Sequence, residues 1–389
     1  MISFENTEIA FAGKSDKDLA WSHRLFKLMG KPWLVSLGKG LTNFALAIRL
    51  PIRGIVKRTI FKQFCGGEDI QECRSKIKEL ANYNVGTILD YSVEGKTTEE
   101  DLDATRDEII ATIKEAKAND SIPFSVFKVT GIAQTDVLRK ANKSLESLSE
   151  NEAANFNIAK NRVEDICQAA YDAGVPVFID AEDSWFQDII DALTTEMMER
   201  FNKEKAIVYN TIQMYRHDRL AFLESSMEEA IEKGYHLGIK LVRGAYMEKE
   251  REVAAEEGYP SPIQPDKATT DGDYNLALEY LVKNIENCAI CAGTHNEESS
   301  LFLVELMETF GIEKNDKRVY FAQLLGMSDH ISFNLTHAGY NVAKYVPYGP
   351  VKEVIPYLMR RAQENTSVAG QTGRELKLIL QEKNRRKLN

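Results

Sequence analysis

With 389 residues, 43% of them hydrophobic, the chain can bury a full core and exceeds the usual single domain of about 100–200 residues; one barrel of roughly 250 residues plus an appendage fits. Its 49 basic and 59 acidic residues leave a net charge of -10, which argues against nucleic-acid binding. No apolar run approaches the ~18 residues that span a bilayer and no signal-peptide pattern opens the chain, so a soluble, cytoplasmic protein is expected.

Along the chain, residues 24–67 come first as a distinct region. They hold nine basic residues (Arg24, Lys27, Lys31, Lys39, Arg49, Arg53, Lys57, Arg58, Lys62), no acidic one, and apolar residues that include Phe26, Trp33, Leu34 and Ile55. Residues 1–80 are expected to form a helical arm, and for segment 24–67 two compatible readings stay open: packing of its apolar side on the main domain, or docking as an amphipathic arm on an anionic membrane surface. From residue 81 to 389 one domain is expected. Eight β-rich runs follow: Val85–Tyr91, Phe124–Thr130, Val175–Asp180, Ala206–Gln213, Leu237–Val242, Cys288–Thr294, Val319–Gln323 and Asn341–Val346. Between them lie periodic helical segments: 102–118, 158–173, 184–202, 220–233, 275–287 and 299–310. Eight such units predict an α/β fold, a (β/α)8 barrel, although an open doubly wound sheet satisfies the same periodicity.

Asp180, Gln213, Arg243, Thr294, Gln323 and Tyr345 fall at or just past the C-terminal ends of these runs, where barrel active sites are built. Gly38-Lys-Gly40 lacks both a third glycine and a preceding strand, so no Rossmann crevice is expected. The five cysteines (Cys65, Cys73, Cys167, Cys288, Cys291) are odd in number and unevenly spaced, which points to reduced thiols. Cys288 and Cys291 have metal-ligand spacing, but residues three apart on a strand point to opposite faces, and no metal site is expected.

The densest chemistry closes the chain. Tyr357, Arg360, Arg361 and Glu364 recur at i, i+3, i+4 and i+7 and would share one helix face, a surface suited to gripping a small carboxylate with guanidinium forks. This segment, Tyr345-Val-Pro-Tyr348-Gly followed by Tyr357-Leu-Met-Arg360-Arg361-Ala-Gln-Glu364-Asn365, resembles the C-terminal signature of the proline dehydrogenase family. Seven further strings appear in the family's order: Leu89-Asp-Tyr-Ser-Val-Glu94-Gly, Phe127-Lys128-Val-Thr-Gly, Ile179-Asp180-Ala181-Glu182, Gln213-Met-Tyr215, Lys240-Leu-Val242-Arg243-Gly244-Ala245-Tyr246, Gly293-Thr294-His295-Asn and Gln323-Leu-Leu-Gly-Met. Together they span roughly residues 60 to 380.

The resemblance implies a monofunctional flavoenzyme that oxidises L-proline to 1-pyrroline-5-carboxylate by hydride transfer to FAD, the first step of proline catabolism, with electrons passed to a membrane quinone. A barrel with a helical N-terminal arm and a C-terminal helix over its mouth is the implied architecture. The chain stops where the barrel should end, so the aldehyde dehydrogenase domain and DNA-binding segment of bifunctional relatives are not expected. Arg360 and Arg361, with Lys128 as a third cation, would hold the substrate carboxylate; Glu94 would orient Arg360 and Glu364 would support the pair. Tyr357 joins this set, and Tyr345 would pack on the substrate ring, favouring proline over hydroxyproline. Asp180 and Lys240 match catalytically important positions, Lys240 standing where some members carry Arg. Ala181, Gln213, Val242, Arg243, Gly244, Ala245, Tyr246, Thr294, His295 and Gln323 would hold FAD. Peripheral contact of the arm with the cytoplasmic or inner membrane is implied by the quinone. A hydroxyproline-preferring flavoenzyme, a barrel aldolase using Lys128 as a Schiff-base amine and a non-enzymatic membrane-associated binder are the rivals.

Overall fold

The computed structural model describes residues 2–48, 50–93, 95–367 and 371–388, the side chains of 43–47, 364–367, 371 and 372 excepted. In chain order the elements are α1 (Thr7–Ala10), α2 (Asp16–Met29), α3 (Pro32–Ala47), α4 (Arg53–Val56), α5 (Lys62–Phe64), α6 (Ile70–Ala81), β1 (Val85–Tyr91), α7 (Glu99–Lys117), β2 (Phe124–Phe127), α8 (Thr135–Lys143), α9 (Glu150–Ala173), β3 (Val177–Ile179), α10 (Ser184–Phe201) and β4 (Val208–Gln213). They continue with α11 (Arg219–Lys233), β5 (Leu237–Val242), α12 (Met247–Glu257), α13 (Lys267–Lys283), β6 (Cys288–Gly293), α14 (Glu297–Thr309), β7 (Val319–Leu324), α15 (Asp329–His337), β8 (Val342–Tyr348), α16 (Val351–Ser367) and α17 (Gln371–Arg385).

The eight strands close in sequence order into a parallel barrel, which removes the open doubly wound alternative. By contact density the chain divides into two compact units, Met1–Val93 with Gln323–Asn389, and Glu94–Ala322.

In the second unit the barrel interior is packed with rings. Phe124 of β2 stacks on Phe178 of β3 at 4.4 Å and meets Tyr320 of β7 edge-on at 4.8 Å. Strands five positions apart in a sheet exchange ring contacts only if the sheet is closed. Tyr209 of β4 completes the cluster, 5.3 Å from Phe178. Gly238 makes room for it, since a Cβ there would lie 2.9 Å from the Tyr209 ring. Burial pushes the Tyr209 and Tyr320 phenols up, so this floor is apolar and uncharged.

The helices begin where side-chain caps allow. Ser149 and Glu152 form a capping box that starts α9, and Gly174 in the left-handed region ends it. Thr98 caps α7 with its side-chain oxygen, which accepts the Asp101 N–H.

In the first unit the apolar side of α2 (Leu19, Leu25, Phe26) shares one core with Val351, Val354 and Leu358 of α16 and Leu378 and Ile379 of α17. Beside it lies a buried ion cluster: fully buried Lys344 of β8 meets Asp329 at 2.9 Å, and Lys14 reaches the same carboxylate at 3.1 Å. Burial works to raise the Asp329 pKa, but Lys344 and Lys14 overcome it and hold the carboxyl below its ordinary range.

Candidate active site

Period-two alternation carries the chemistry of the second unit. On β2 the inward positions Phe124 and Val126 lead to half-buried Lys128 just past the strand, and on β3 Phe178 leads to Asp180. Lys240 of β5 is hydrogen-bonded to Asp180, its ammonium 5.4 Å from the Phe178 ring centroid. The ion pair therefore stands directly on the aromatic floor. Across the sheet, Lys240 is in register with Thr211, whose buried hydroxyl has no hydrogen-bond partner among the described residues.

A second network joins three strand ends. The Glu182 carboxylate, buried after β3, accepts the Thr130 backbone N–H at 3.0 Å and the Thr130 hydroxyl, while its carbonyl accepts the Gln213 amide at 2.7 Å. The Glu182 N–H donates to Gln187 at 2.8 Å. Lys128 and Asp180 each lie two residues before a member of this network, so the contacts that fix Thr130 and Glu182 also set the strand ends from which they project. Neither Glu182 nor Thr130 was expected as a site residue, although both lie inside strings that carry the resemblance.

Arg243, at the exit of β5, is held on every side. Its Nε donates to Asp271 at 2.5 Å, Nη1 to Thr294 at 2.7 Å and Nη2 to Ser299 at 2.9 Å, and the guanidinium stacks 4.3 Å from the Tyr274 ring. Three of its five N–H groups are occupied by these bonds, leaving two that can face an anion. Gly244 adopts φ +126, and a Cβ there would lie 2.6 Å from the Tyr215 ring. Tyr215 also donates its backbone N–H to the Arg243 carbonyl at 2.7 Å, so ring and backbone clamp the corner together. Gly244 and Ala245 are exposed, and Val242 and Tyr246 are half-buried beside them. Asp271, Ser299 and Tyr274 lay outside every recognised string, and no signal in the sequence singled them out.

Thr294 is buried, His295 half-buried, and Asn296 caps α14 through the Ser299 N–H at 3.0 Å. Ala181 is buried beyond β3. The Cys288 thiol bonds to Leu281 of α13 at 3.3 Å, whereas fully buried Cys291 stands in register with Lys240 of β5. Burial pushes both thiols up to about 12.

The first unit carries the remaining candidates. Tyr345 lies in the middle of β8 rather than at its end. The strand runs on to Tyr348 because its ladder with β1 continues through Asp90 and Tyr91, and Gly349 and Pro350 stop it. Gln323, near the end of β7, accepts a hydrogen bond from Ser332 at 2.8 Å. On α16, Tyr357 and Arg361 are buried one turn apart with the guanidinium 5.2 Å from the ring centroid, and Arg360 is half-buried beside them. The Glu364 side chain and all of Glu94 lie outside the described residues. At the start of α16, Glu68 accepts the Val351 N–H at 3.3 Å while pairing with Arg53 and Lys57, each at 2.7 Å. Arg53 above all, with Lys57 against the opposing effect of burial, pushes the Glu68 carboxyl down to about 2.

The donor set of the second unit fits a dinucleotide flavin. Arg243 has N–H groups left for a phosphate, an exposed glycine corner follows it, and Gln213 and Thr294 stand at the ends of β4 and β6 on either side of β5.

A family model described as Proline dehydrogenase matches residues 73–374. The mitochondrial proline dehydrogenase 1 of Dictyostelium discoideum is 30% identical over 98% of this chain and 75% of its own length, and that of Homo sapiens is 42% identical over 60% of this chain and 40% of its own. The carbapenem antibiotics biosynthesis protein CarD of Pectobacterium carotovorum is 33% identical over 83% of each chain. Among solved structures, proline utilization A from Bdellovibrio bacteriovorus, inactivated by N-propargylglycine, superimposes with a TM-score of 0.71 at 23% identity, covering 93% of this chain and 38% of that one. That likeness establishes the fold, and the chain spans well under half the length of such structures. A match across more than half the sequence settles the lineage: the chain belongs to the proline dehydrogenase family of enzymes.

Proposed function

We propose that the chain oxidises L-proline to 1-pyrroline-5-carboxylate with FAD as its cofactor and a membrane quinone as electron acceptor. The observation that carries this reading is the row of family-motif residues (Lys128, Asp180, Gln213, Lys240, Arg243, Thr294) at or near the C-terminal ends of barrel strands, above an apolar floor.

The reaction removes a hydride from C5 of proline and a proton from its nitrogen, leaving a C=N bond. FAD supplies the hydride acceptor that no side chain can be. Arg243, Gly244, Ala245, Gln213, Thr294 and His295 are the residues that would hold it, with Ala181, Val242, Tyr246 and Gln323 as further contacts. The side chains do the rest by binding and orienting. Arg360 and Arg361 take the substrate carboxylate through charge-assisted hydrogen bonds, with Lys128 as a further cation by its motif match. The Tyr345 ring limits substrate size. Asp180 fixes the Lys240 ammonium, so this pair presents a set charge distribution without rearranging during turnover.

The test is turnover of L-proline against trans-4-hydroxy-L-proline with a soluble quinone, the cyclic imine being trapped with an aromatic amino-aldehyde. Imine from proline at a kcat/KM well above that for hydroxyproline is expected. No imine from either would remove the reading.

A further inference from the structure

The polar groups of Glu182 leave in three directions. Its carboxylate is taken up by Thr130 beyond β2 and its carbonyl by Gln213 at the end of β4, while its N–H donates to Gln187, one turn into α10. Gln187 therefore ties this strand end to the helix layer outside the barrel.

Gln187 is itself set by Asp191, one turn further along α10. The Gln187 amide donates to Asp191 Oδ1 at 2.8 Å, Asn210 of β4 donates to the same oxygen at 2.9 Å, and Arg219 of α11 donates to Oδ2 at 2.7 Å. None of these four residues is more than 5% exposed, so water does not compete for their polar groups. Burial raises the Asp191 pKa and Arg219 opposes it; three N–H donors on two oxygens suit the ionised carboxylate.

A carboxylate accepts and cannot donate. It admits the Gln187 side chain in one orientation, with NH2 toward Asp191 and the oxygen toward the Glu182 N–H. The reversed amide would set donor against donor at Glu182 and acceptor against acceptor at Asp191, which a buried site tolerates poorly. The consequence runs forward to the barrel mouth. The Glu182 backbone so held presents its carbonyl to Gln213 Nε2 at 2.7 Å, and Gln213 keeps its amide oxygen for an N–H donor. On the proposed function, on which this inference rests, that donor is the ring N–H of the isoalloxazine.

We infer that Asp191 and Gln187 are positioning residues for the flavin, which from outside the barrel fix the Glu182 backbone and, through it, the orientation of the Gln213 amide.

The experiment exchanges donor and acceptor between the two side chains. Asp191→Asn turns an NH2 toward Gln187, and Gln187→Glu added to it supplies the acceptor again at unchanged total charge. Asn210, whose buried Oδ1 has no hydrogen-bond partner among the described residues, can turn to accept the new NH2 as well. The full-length, flavin-loaded protein without substrate is followed by its rate of flavin release, its visible flavin bands and hydrogen exchange at Glu182 by mass spectrometry. Asp191→Asn should release flavin about tenfold faster, the factor of one hydrogen bond, shift the bands and lose protection at Glu182. Asp191→Asn/Gln187→Glu should return all three toward wild type, which a general loosening of the fold would not allow. Gln187→Met, which leaves the Asp191–Arg219 pair in place, should repeat the Asp191→Asn effect and carries the test if that variant does not fold. Release and exchange equal to wild type in Asp191→Asn and Gln187→Met, or a double variant no better than Asp191→Asn, would overturn this inference alone. A wild-type protein that binds no flavin would overturn the proposed function and this inference with it.

Discussion

The Lys240 ammonium is hydrogen-bonded to the Asp180 carboxylate and stands 5.4 Å from the Phe178 ring, so an ion pair between strand β5 and the end of β3 rests on an aromatic floor. Both partners are largely shielded, with 6% and 15% of their side chains exposed. Removing one member of such a pair strands the other charge, at a cost of about 3–5 kcal/mol, which exceeds what the intact pair contributes. Lys240→Met and Asp180→Ala are each expected to lower unfolding free energy by about 3 kcal/mol and to depress turnover, and the double variant to lose less than the sum. A denaturant double-mutant cycle measures this; strict additivity would show the pair is not coupled.

The Arg243-Gly244 corner should tolerate no side chain. Gly244→Ala forces an L residue into φ +126 against the Tyr215 ring, and a loss of at least about 2 kcal/mol together with loss of bound flavin is expected. Tyr215→Phe keeps the ring and should retain flavin, whereas Tyr215→Ala should not. Flavin content by absorbance after gel filtration reads both.

On the proposed function, Arg360 and Arg361 serve the substrate and not the cofactor. Replacing either with Met should raise the KM for proline by about 10- to 100-fold, the value of one charge-assisted hydrogen bond, with flavin content unchanged. Loss of flavin in step with KM would move these residues into cofactor binding or folding.

Much of the barrel was legible from alternation. The ranges expected for β1 and β5 match those observed, because both are bounded by plain polar breaks. β2 stops at Phe127 rather than Thr130, since Glu182 captures the Thr130 N–H and hydroxyl, a tertiary contact that periodicity does not record. β3 starts only at Val177, because Pro176 has no N–H for a ladder. Helix α9 begins at Glu150, eight residues before its periodic segment, and the overlooked signal was the Ser149-x-x-Glu152 box. α15 escaped notice altogether: every residue from Asp329 to Thr336 is buried, so it has no exposed polar face to set a period. At the site, motif residues were legible and their holders were not. Asp271 and Ser299 reach Arg243 from α13 and α14, and only the fold brings them there.

The salt bridge at the head of α16 gives a pH signature. Glu68 is pushed down to about 2 from an ordinary carboxylate value of 4.5, so its stabilisation is fully present above pH 4.5 and fades as pH falls toward 2. Because Arg53 is mostly exposed, solvent screening keeps the expected loss in Glu68→Gln to about 1 kcal/mol at neutral pH. The gap between wild type and variant should close across that acid window in urea titrations. A gap independent of pH would mean the carboxylate acts by packing alone.

Anaerobic titration of the purified, flavin-loaded protein with L-proline, followed by its visible spectrum, tests the central claim most directly. Progressive bleaching of the flavin absorption by proline, with Arg360→Met/Arg361→Met requiring far higher concentrations for the same change, is the predicted result. A flavin that stays oxidised in excess proline, or a double variant that titrates like the wild type, would contradict it.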